Sequence, residues 1–459
     1  MQRLSTGIPG LDQVLHGGVI AESAYLVRGG PGRGKTTLGL HFLYAGAPDD
    51  HSLFIGFQES DRQLQHNARA IGLDVSHITF LNLSPDEHFF TQQEHYDVFA
   101  ASDVEQAPLS ESIVEAVERL QPKRVFVDSL TQLRFLTADV FQYRKEVLSF
   151  LQYLKARNAT VVFSSEHSDN TPDDDLQFLA DGVLSLTEDE MGSVLCVDKF
   201  RGSSFMHGCH QMRNGAAGVE VFPRPVPPVE ELTENRFKAI PTGIERLDTL
   251  LGGGLESGTI TMLTGPSGIG KSTLASCIAS ETARIEGHAC VYLFEEEVSS
   301  FRHRANNLGI DLEGPRDQEA VTIEQVEPMR YLADEFASKV YRDVMMRQTR
   351  LVVFDSTAGF QLTLMDESIK SRLHALAKSL ARINVSVLLV NETAMLTGNP
   401  SLSEKGISYL ADNIISLSYR EEGDNLVSQL TVAKKRLSDF DRRPHRFQVG
   451  PKAVVIRDD

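Results

Sequence analysis

Two short stretches hold the residues with the most evident chemistry, GGPGRGKTT from Gly29 to Thr37 and GPSGIGKST from Gly265 to Thr273. Both carry the spacing G-x-x-x-x-G-K-[ST], behind an apolar run and ahead of a helical pattern. Gly29, Gly30, Gly32 and Gly34, and in the second stretch Gly265, Gly268 and Gly270, allow backbone N–H groups to turn toward phosphate oxygens. The N-terminus of the following helix adds partial positive charge. Lys35 and Lys271 are placed to contact β- and γ-phosphates, and Thr36 and Ser272 to ligate Mg²⁺. Thr37 and Thr273 complete the two nucleotide-binding loops. The ligand implied is ATP with Mg²⁺.

Asp128 closes the apolar run RVFVD, and Asp355 closes LVVFD. A carboxylate at the C-terminal end of a parallel strand lies beside a phosphate loop and can hold the hydration shell of Mg²⁺. A further apolar run in each half leads into acids, FQES (Phe57 to Ser60) and FEEE (Phe294 to Glu297). Pairing AIGLD (Ala70 to Asp74) with NLGID (Asn307 to Asp311) sets an offset of 237. Gln58 then stands opposite Glu295, and Glu59 opposite Glu296. The phosphate loops lie at an offset of 236, which would place Glu59 opposite Glu295 instead. The register of 237 is preferred because it aligns the strand ends. Glu295, Glu296 and Glu59 are the candidate bases, able to take a proton from water or a protein hydroxyl. Gln58 can only orient water. Gln58→Glu alone is therefore expected to raise turnover in the first half.

VDKFRG (Val197 to Gly202) and VAKKRLS (Val432 to Ser438) repeat K-x-R, with Lys199 and Arg201, and Lys434 and Arg436, expected together on one face of a strand. Two cations on one face suit the γ-phosphate of an adjoining subunit.

These residues need a scaffold, and the chain supplies it twice. STGIPGLDQVLHGGV reappears as PTGIERLDTLLGGGL, and FLADGVLSL as YLADNIISL, in the same order as the other pairs. A repeat this long marks duplicated domains. Proline-rich VFPRPVPPVEELTENRF (Val221 to Phe237) sets the boundary near residue 230, giving domains 1–230 and 231–459. AYLVRGG, SLFIGF, ITFLNL, RVFVDSL and ATVVFSS are buried-strand patterns, while SESIVEAVERL and VFQYRKEVLSFLQYLKA have helical spacing. Such alternation predicts an α/β fold with a mainly parallel sheet flanked by helices in each domain.

Composition narrows the setting. The 459 residues carry a net charge of −18, which disfavours nonspecific binding to nucleic acid. Four scattered cysteines without a C-x-x-C pair fit a reduced, cytoplasmic protein and no disulfide framework. No signal peptide and no apolar run of membrane-spanning length are evident.

Together the motifs resemble RecA-like ATPases, and among them the tandem-domain KaiC family of circadian clock proteins, over nearly the whole chain. The resemblance implies two RecA-like P-loop domains and a homohexamer with ATP between subunits, reached across the interface by Lys199, Arg201, Lys434 and Arg436. It also implies self-phosphorylation in the second domain, a signalling or timing role, and a partner of the KaiB kind. The matching acceptor stretch is PSLSEKGISYLADNIISL (Pro400 to Leu417), with Ser408 and Tyr409 at the acceptor pair and Ser403 nearby. Tyr409 departs from the family's Ser-Thr pair. The first domain has Gln177 and Phe178 at the matching places, so no acceptor is expected there. The chain stops soon after its last strand pattern, so the tail that clock KaiC offers an activating partner is expected to be missing. Two other classes share the motifs. A DNA-dependent motor would show DNA-stimulated ATPase activity, with 135–145 or 357–372 as its channel segment. A nucleotide-assembled scaffold would turn over ATP no faster than a Lys35/Lys271 double variant.

Overall fold

A computed structural model describes the chain except for residues 47–49, 84–100, 137–138, 167–172, 190–191, 226–236, 314–319, 365–368, 394–410, 424, 451–453 and 459, with the backbone alone for 101–109, 135–136 and 369–370. The chain divides into two compact units, Met1–Arg224 and Pro225–Asp459. Most of the proline-rich connector lies outside the described residues.

In the first unit the strands are β1 (Arg3–Leu4), β2 (Val19–Ile20), β3 (Ala24–Gly29), β4 (Ser52–Gly56), β5 (Ile78–Asn82), β6 (Arg124–Asp128), β7 (Thr160–Glu166), β8 (Gly182–Asp189), β9 (Gly192–Phe200), β10 (Cys209–Gly215) and β11 (Gly218–Phe222). Nine of them form one sheet in the order β11-β10-β9-β8-β3-β7-β6-β4-β5. The six strands from β8 to β5 run parallel, and β9, β10 and β11 extend the sheet antiparallel. The second unit repeats this plan. Its strands are β12 (Ala239–Ile240), β13 (Leu255–Glu256), β14 (Ile260–Gly265), β15 (Ala289–Leu293), β16 (Val321–Gln325), β17 (Leu351–Asp355), β18 (Ser386–Glu392), β19 (Asn413–Glu422), β20 (Asn425–Lys435), β21 (His445–Val449) and β22 (Val454–Arg457). The sheet order is β16-β15-β17-β18-β14-β19-β20-β21-β22. Both units are thus RecA-like α/β domains with a mainly parallel sheet flanked by helices.

The central strands are apolar without interruption because both faces are covered. Alternate residues feed different cores. On β4, Phe54 joins one cluster while Leu53 and Ile55 join the other. On β17, Leu351 and Val353 face one core, and Val352 and Phe354 the opposite one. The repeated T-G-I…L-D signature is a structural clasp. Asp12 accepts from the Thr6 amide and hydroxyl, both at 2.7 Å, and Asp248 does the same for Thr242 at 2.8 and 2.7 Å.

One packing pair differs between the copies. The helix Lys35–Tyr44 lies so close to β6 that a Cβ on Gly39 would sit 2.2 Å from the Phe126 ring. The matching positions in the second unit are Ala275 and Val353, both in one buried core, where a smaller strand residue leaves room for the methyl group. Gly39→Ala is therefore expected to lower the stability of the first domain by about 1–3 kcal/mol through overpacking, against a gain of only about 1 kcal/mol in helix propensity. Denaturant unfolding checks this, and an unchanged or raised midpoint would refute it.

The cysteine expectation needs correction. Cys196 and Cys209 are joined by a disulfide. Their separation of 13 residues hides the fact that antiparallel β9 and β10 place them directly opposite, with Cα atoms 4.3 Å apart. Cys277 and Cys290 are free thiols.

Candidate functional site

The phosphate loop, the strand-end aspartate and the paired acids of each unit lie at the C-terminal edge of the parallel strands, where open α/β sheets bind ligands. β3 ends at Gly29, and Gly34 caps the helix Lys35–Tyr44 in a left-handed conformation with φ of 89°. Gly270 does the same for the helix Lys271–Glu286 with φ of 110°. A side chain at either place would be strained, which explains the second glycine of each motif. The Lys35 ammonium donates to the Gly29 and Gly30 carbonyls at 2.8 Å, and the Lys271 ammonium to Pro266 at 2.7 Å. Burial holds both amines below the ordinary lysine range. The nearby charges of Asp128 and Glu166, and of Glu392, Asp355 and Glu295, work in the other direction.

Thr36 Oγ1 donates to Asp128 at 2.6 Å, and Ser272 hydrogen-bonds Asp355. Ser164 holds the other oxygen of Asp128. Burial pushes the Asp355 carboxyl up from its ordinary value, with the Glu296 charge adding to the shift, while Ser272, Arg304 and Lys271 oppose it. Asp355 Oδ2 is buried without a hydrogen-bond partner. An orphaned carboxylate oxygen beside a hydroxyl is a fitting donor set for Mg²⁺, which takes one or two protein oxygens and fills the rest of its octahedron with water and phosphate. Among the described residues no group of three or more His, Cys, Asp or Glu could hold a metal by itself. When bound, the ion would neutralise charge on the phosphates.

The strand register fixes how the acids correspond. Gly56 pairs with Asp128, and Leu293 with Asp355. The next amides, Phe57 and Phe294, donate to those same aspartates' carbonyls at 3.0 and 2.9 Å. The offset is therefore 237 here. Gln58 stands where Glu295 does, and Glu59 where Glu296 does. Ser60 and Glu297 are both helix N-caps, which assigns the third acid of FEEE to a helix start.

The surroundings of these residues diverge. Glu295 accepts a hydrogen bond from Ser356 at 3.0 Å. The matching Ser129 hydroxyl is buried without a partner, and Gln58 turns instead to Glu166 at 3.5 Å. Glu59 accepts from Asn67 at 3.4 Å, whereas Glu296 forms an ion pair with Arg304. Burial, then the charge of Asp128, raises the Glu59 carboxyl above its ordinary value.

Glu166 and Glu392 were not among the candidates from sequence. Each ends the strand beside the phosphate-loop strand, directly opposite Gly29 or Gly265. The signal was present in the duplicated strand ends TVVFSSE and SVLLVNE.

The family model described as "ATPase: KaiC" matches residues 4–226 and again 240–459. The chain belongs to the KaiC ATPase family. Curated relatives named "Circadian clock oscillator protein KaiC" align along the whole chain. The one from Parathermosynechococcus lividus is 25% identical over 470 residues, covering 99% of this chain and 85% of its own length. Those from Parasynechococcus marenigrum (strain WH8102) and Synechococcus elongatus (strain ATCC 33912 / PCC 7942 / FACHB-805) are also 25% identical, with 100% and 99% of this chain covered and 91% and 89% of their own. Membership makes the chain an ATPase, and ATP its ligand.

The K-x-R cations of this KaiC-family chain sit elsewhere. Lys199 donates to the carbonyls of Gln177 and Ala180 at 2.9 and 2.7 Å, and Lys434 to that of Ala411 at 2.6 Å. Burial holds both lysines below their ordinary range. Arg201 approaches Asp181 at 4.0 Å, and Arg436 pairs with Asp412 at 3.1 Å. The expectation that both cations of each pair lie on the strand itself is corrected, though lysine and arginine still reach adjacent residues. β9 ends at Phe200 and β20 at Lys435, so each arginine falls just beyond its strand. A bulge precedes each lysine, where Val183 and Leu184, or Ile414 and Ile415, pair out of step. Ser403, Ser408 and Tyr409 lie outside the described residues.

Proposed function

We propose that this KaiC-family ATPase works as a homo-oligomeric ring, hexameric as the resemblance implies, with each ATP shared by two copies. The observation carrying this reading is the placement of the K-x-R motifs within their own domain. Lys199 is level with Leu26, and Arg201 with Ala24, through their pairing with β8 and the Asp181 backbone. The phosphate loop starts at Gly29, five residues further along β3 than Ala24, or about 16 Å. Arg436 is likewise level with Asp412 and Ile260, at the far end of β14 from Gly265. The two arginines are at the wrong edge of the sheet for their own nucleotide, and the lysines are level with the middle of β3 and β14. They suit a neighbour's γ-phosphate, as trans arginines do in related phosphoryl transfer.

In the second domain, Glu295, oriented by Ser356, serves as general base toward a protein hydroxyl. Its carboxylate takes the hydroxyl proton as the oxygen bonds to the γ-phosphorus and the bond to ADP breaks. Ser408 is the leading acceptor, with Tyr409 and Ser403 as neighbours. In the first domain Glu59 is the acid available, and Gln58 orients water. The relatives' printed role as clock oscillators supports a timing or signalling output through a second protein of the KaiB kind. Among the described residues no helix is long and apolar enough to cross a membrane. The overall negative charge makes nucleic acid a poor partner.

Mixed rings test the shared site. Arg436→Ala and Lys271→Ala chains are each expected to lose second-domain turnover. Co-assembled at equal ratio, roughly a quarter of head-to-tail interfaces regain both residues, and activity should return in that proportion. Stable mixed rings without recovery would overturn the proposal.

A further inference from the structure

The two catalytic centres differ at two positions that change together. The second domain has Glu295 where the first has neutral Gln58, and Arg304 where the first has neutral Asn67. Both pairs obey the same offset of 237. The extra acid and the extra cation cancel in formal charge, while Glu59 and Glu296, Asp128 and Asp355, Glu166 and Glu392, and Lys35 and Lys271 correspond one to one; the first loop's Arg33, which stands where the second has Ile269, is itself paired with Glu188.

The geometry makes this more than a coincidence of composition. Arg304 lies on the helix Val298–Asn307, which begins directly after the acids and brings residue 304 back beside Glu296. Its Nη1 is bound to Glu296, its guanidinium lies 5.1 Å from the Phe301 ring centre, and its charge reaches Asp355. Its Nη2 is buried with no hydrogen-bond partner. A buried donor without a partner is costly, so such a group marks a place built to receive an acceptor. Glu296 holds the other nitrogen, the Asp355 carboxylate with its orphaned oxygen feels the charge, and phosphoryl oxygens are the acceptors expected at this edge of the sheet.

We infer that Arg304 is a positioning residue of the second ATPase centre, holding Glu296 in place and offsetting the charge that Glu295 introduces. Glu295 and Arg304 act as one unit, as Gln58 and Asn67 do in the first domain. The inference rests on the reading of Glu295 and Glu296 as catalytic acids. It also revises the expectation that Gln58→Glu alone raises first-domain turnover, because that change adds an uncompensated carboxylate beside the phosphates.

The experiment uses full-length chains carrying Glu59→Gln, which keeps the first domain's phosphate loop and removes its acid. ATP turnover with Mg²⁺ is measured for Arg304→Asn, Arg304→Lys, Glu295→Gln and the double variant Glu295→Gln/Arg304→Asn. Arg304→Asn is expected to raise KM for ATP about tenfold, the scale of one unscreened charge near the phosphates. Arg304→Lys should recover most of that loss. The double variant should return KM close to the parent value while kcat stays low, because charge balance is restored without the base. A purely structural arginine would not be rescued by removing Glu295. A double variant with KM as high as Arg304→Asn, or an Arg304→Asn chain with unchanged KM, overturns the inference. Unchanged kcat in Glu295→Gln overturns the underlying catalytic reading instead, so the two failures are distinct.

Discussion

Lys271→Ala is expected to cut second-domain ATP turnover by roughly 10³-fold and to abolish phosphate incorporation into the chain. The ammonium is buried, 8% exposed, and already points its protons at the loop carbonyl of Pro266. In so dry a place a positive charge facing phosphoryl oxygens is worth far more than at the surface. Alanine leaves the γ-phosphate charge to Mg²⁺ and the backbone alone. The fold should survive, because the residue starts a helix, alanine is the best helix former, and a desolvated charge is removed. Incubation with ATP and Mg²⁺ followed by phosphopeptide mapping checks this. The unaltered chain should carry label between Pro400 and Leu417, with Ser408 foremost. An intact phosphosite in Lys271→Ala would place the kinase activity elsewhere.

Glu295→Gln combined with Glu296→Gln should leave ATP bound and lower phosphoryl transfer by about 10²–10⁴-fold, the usual worth of a general base. Ground-state binding should hold or tighten, since two negative charges leave the neighbourhood of the phosphates. The two acids have different surroundings. Glu295 is oriented by the Ser356 hydroxyl, while one oxygen of Glu296 is taken by Arg304. Equilibrium nucleotide binding and single-turnover transfer, measured on the same preparation, separate the two effects. Continued labelling at the unaltered rate would remove both acids from the base role.

Much of this was legible because local rules and tertiary demands coincide. The glycine-lysine loops declare themselves by spacing, and the strands feeding them are uninterrupted apolar runs because both faces are buried. Duplication doubled every signal. The antiparallel extension by β10 and β11 beyond the K-x-R strand β9 was less visible, because those two strands carry none of the motifs. The register of the acids was undecidable within one residue. One copy has an additional residue between its phosphate-loop helix and the next strand, and nothing local says where it is absorbed. Pairing of Gly56 with Asp128 and of Leu293 with Asp355 removes the ambiguity.

By itself, the sequence determined the two-domain α/β plan, the phosphate loops, the strand-end aspartates and the repeated acids and cations. Each of these is a short stretch whose chemistry and backbone needs are set by neighbours in the chain. Only the tertiary structure decided what meets across gaps in the chain. It brought Cys196 opposite Cys209, set Glu166 and Glu392 against the phosphate loops, and carried Arg304 back to Glu296 along one helix. It also put Arg201 and Arg436 level with the starts of β3 and β14, at the opposite ends of those strands from the phosphate loops. Pairing register and helix direction create such contacts, and neither is written in any one stretch of residues.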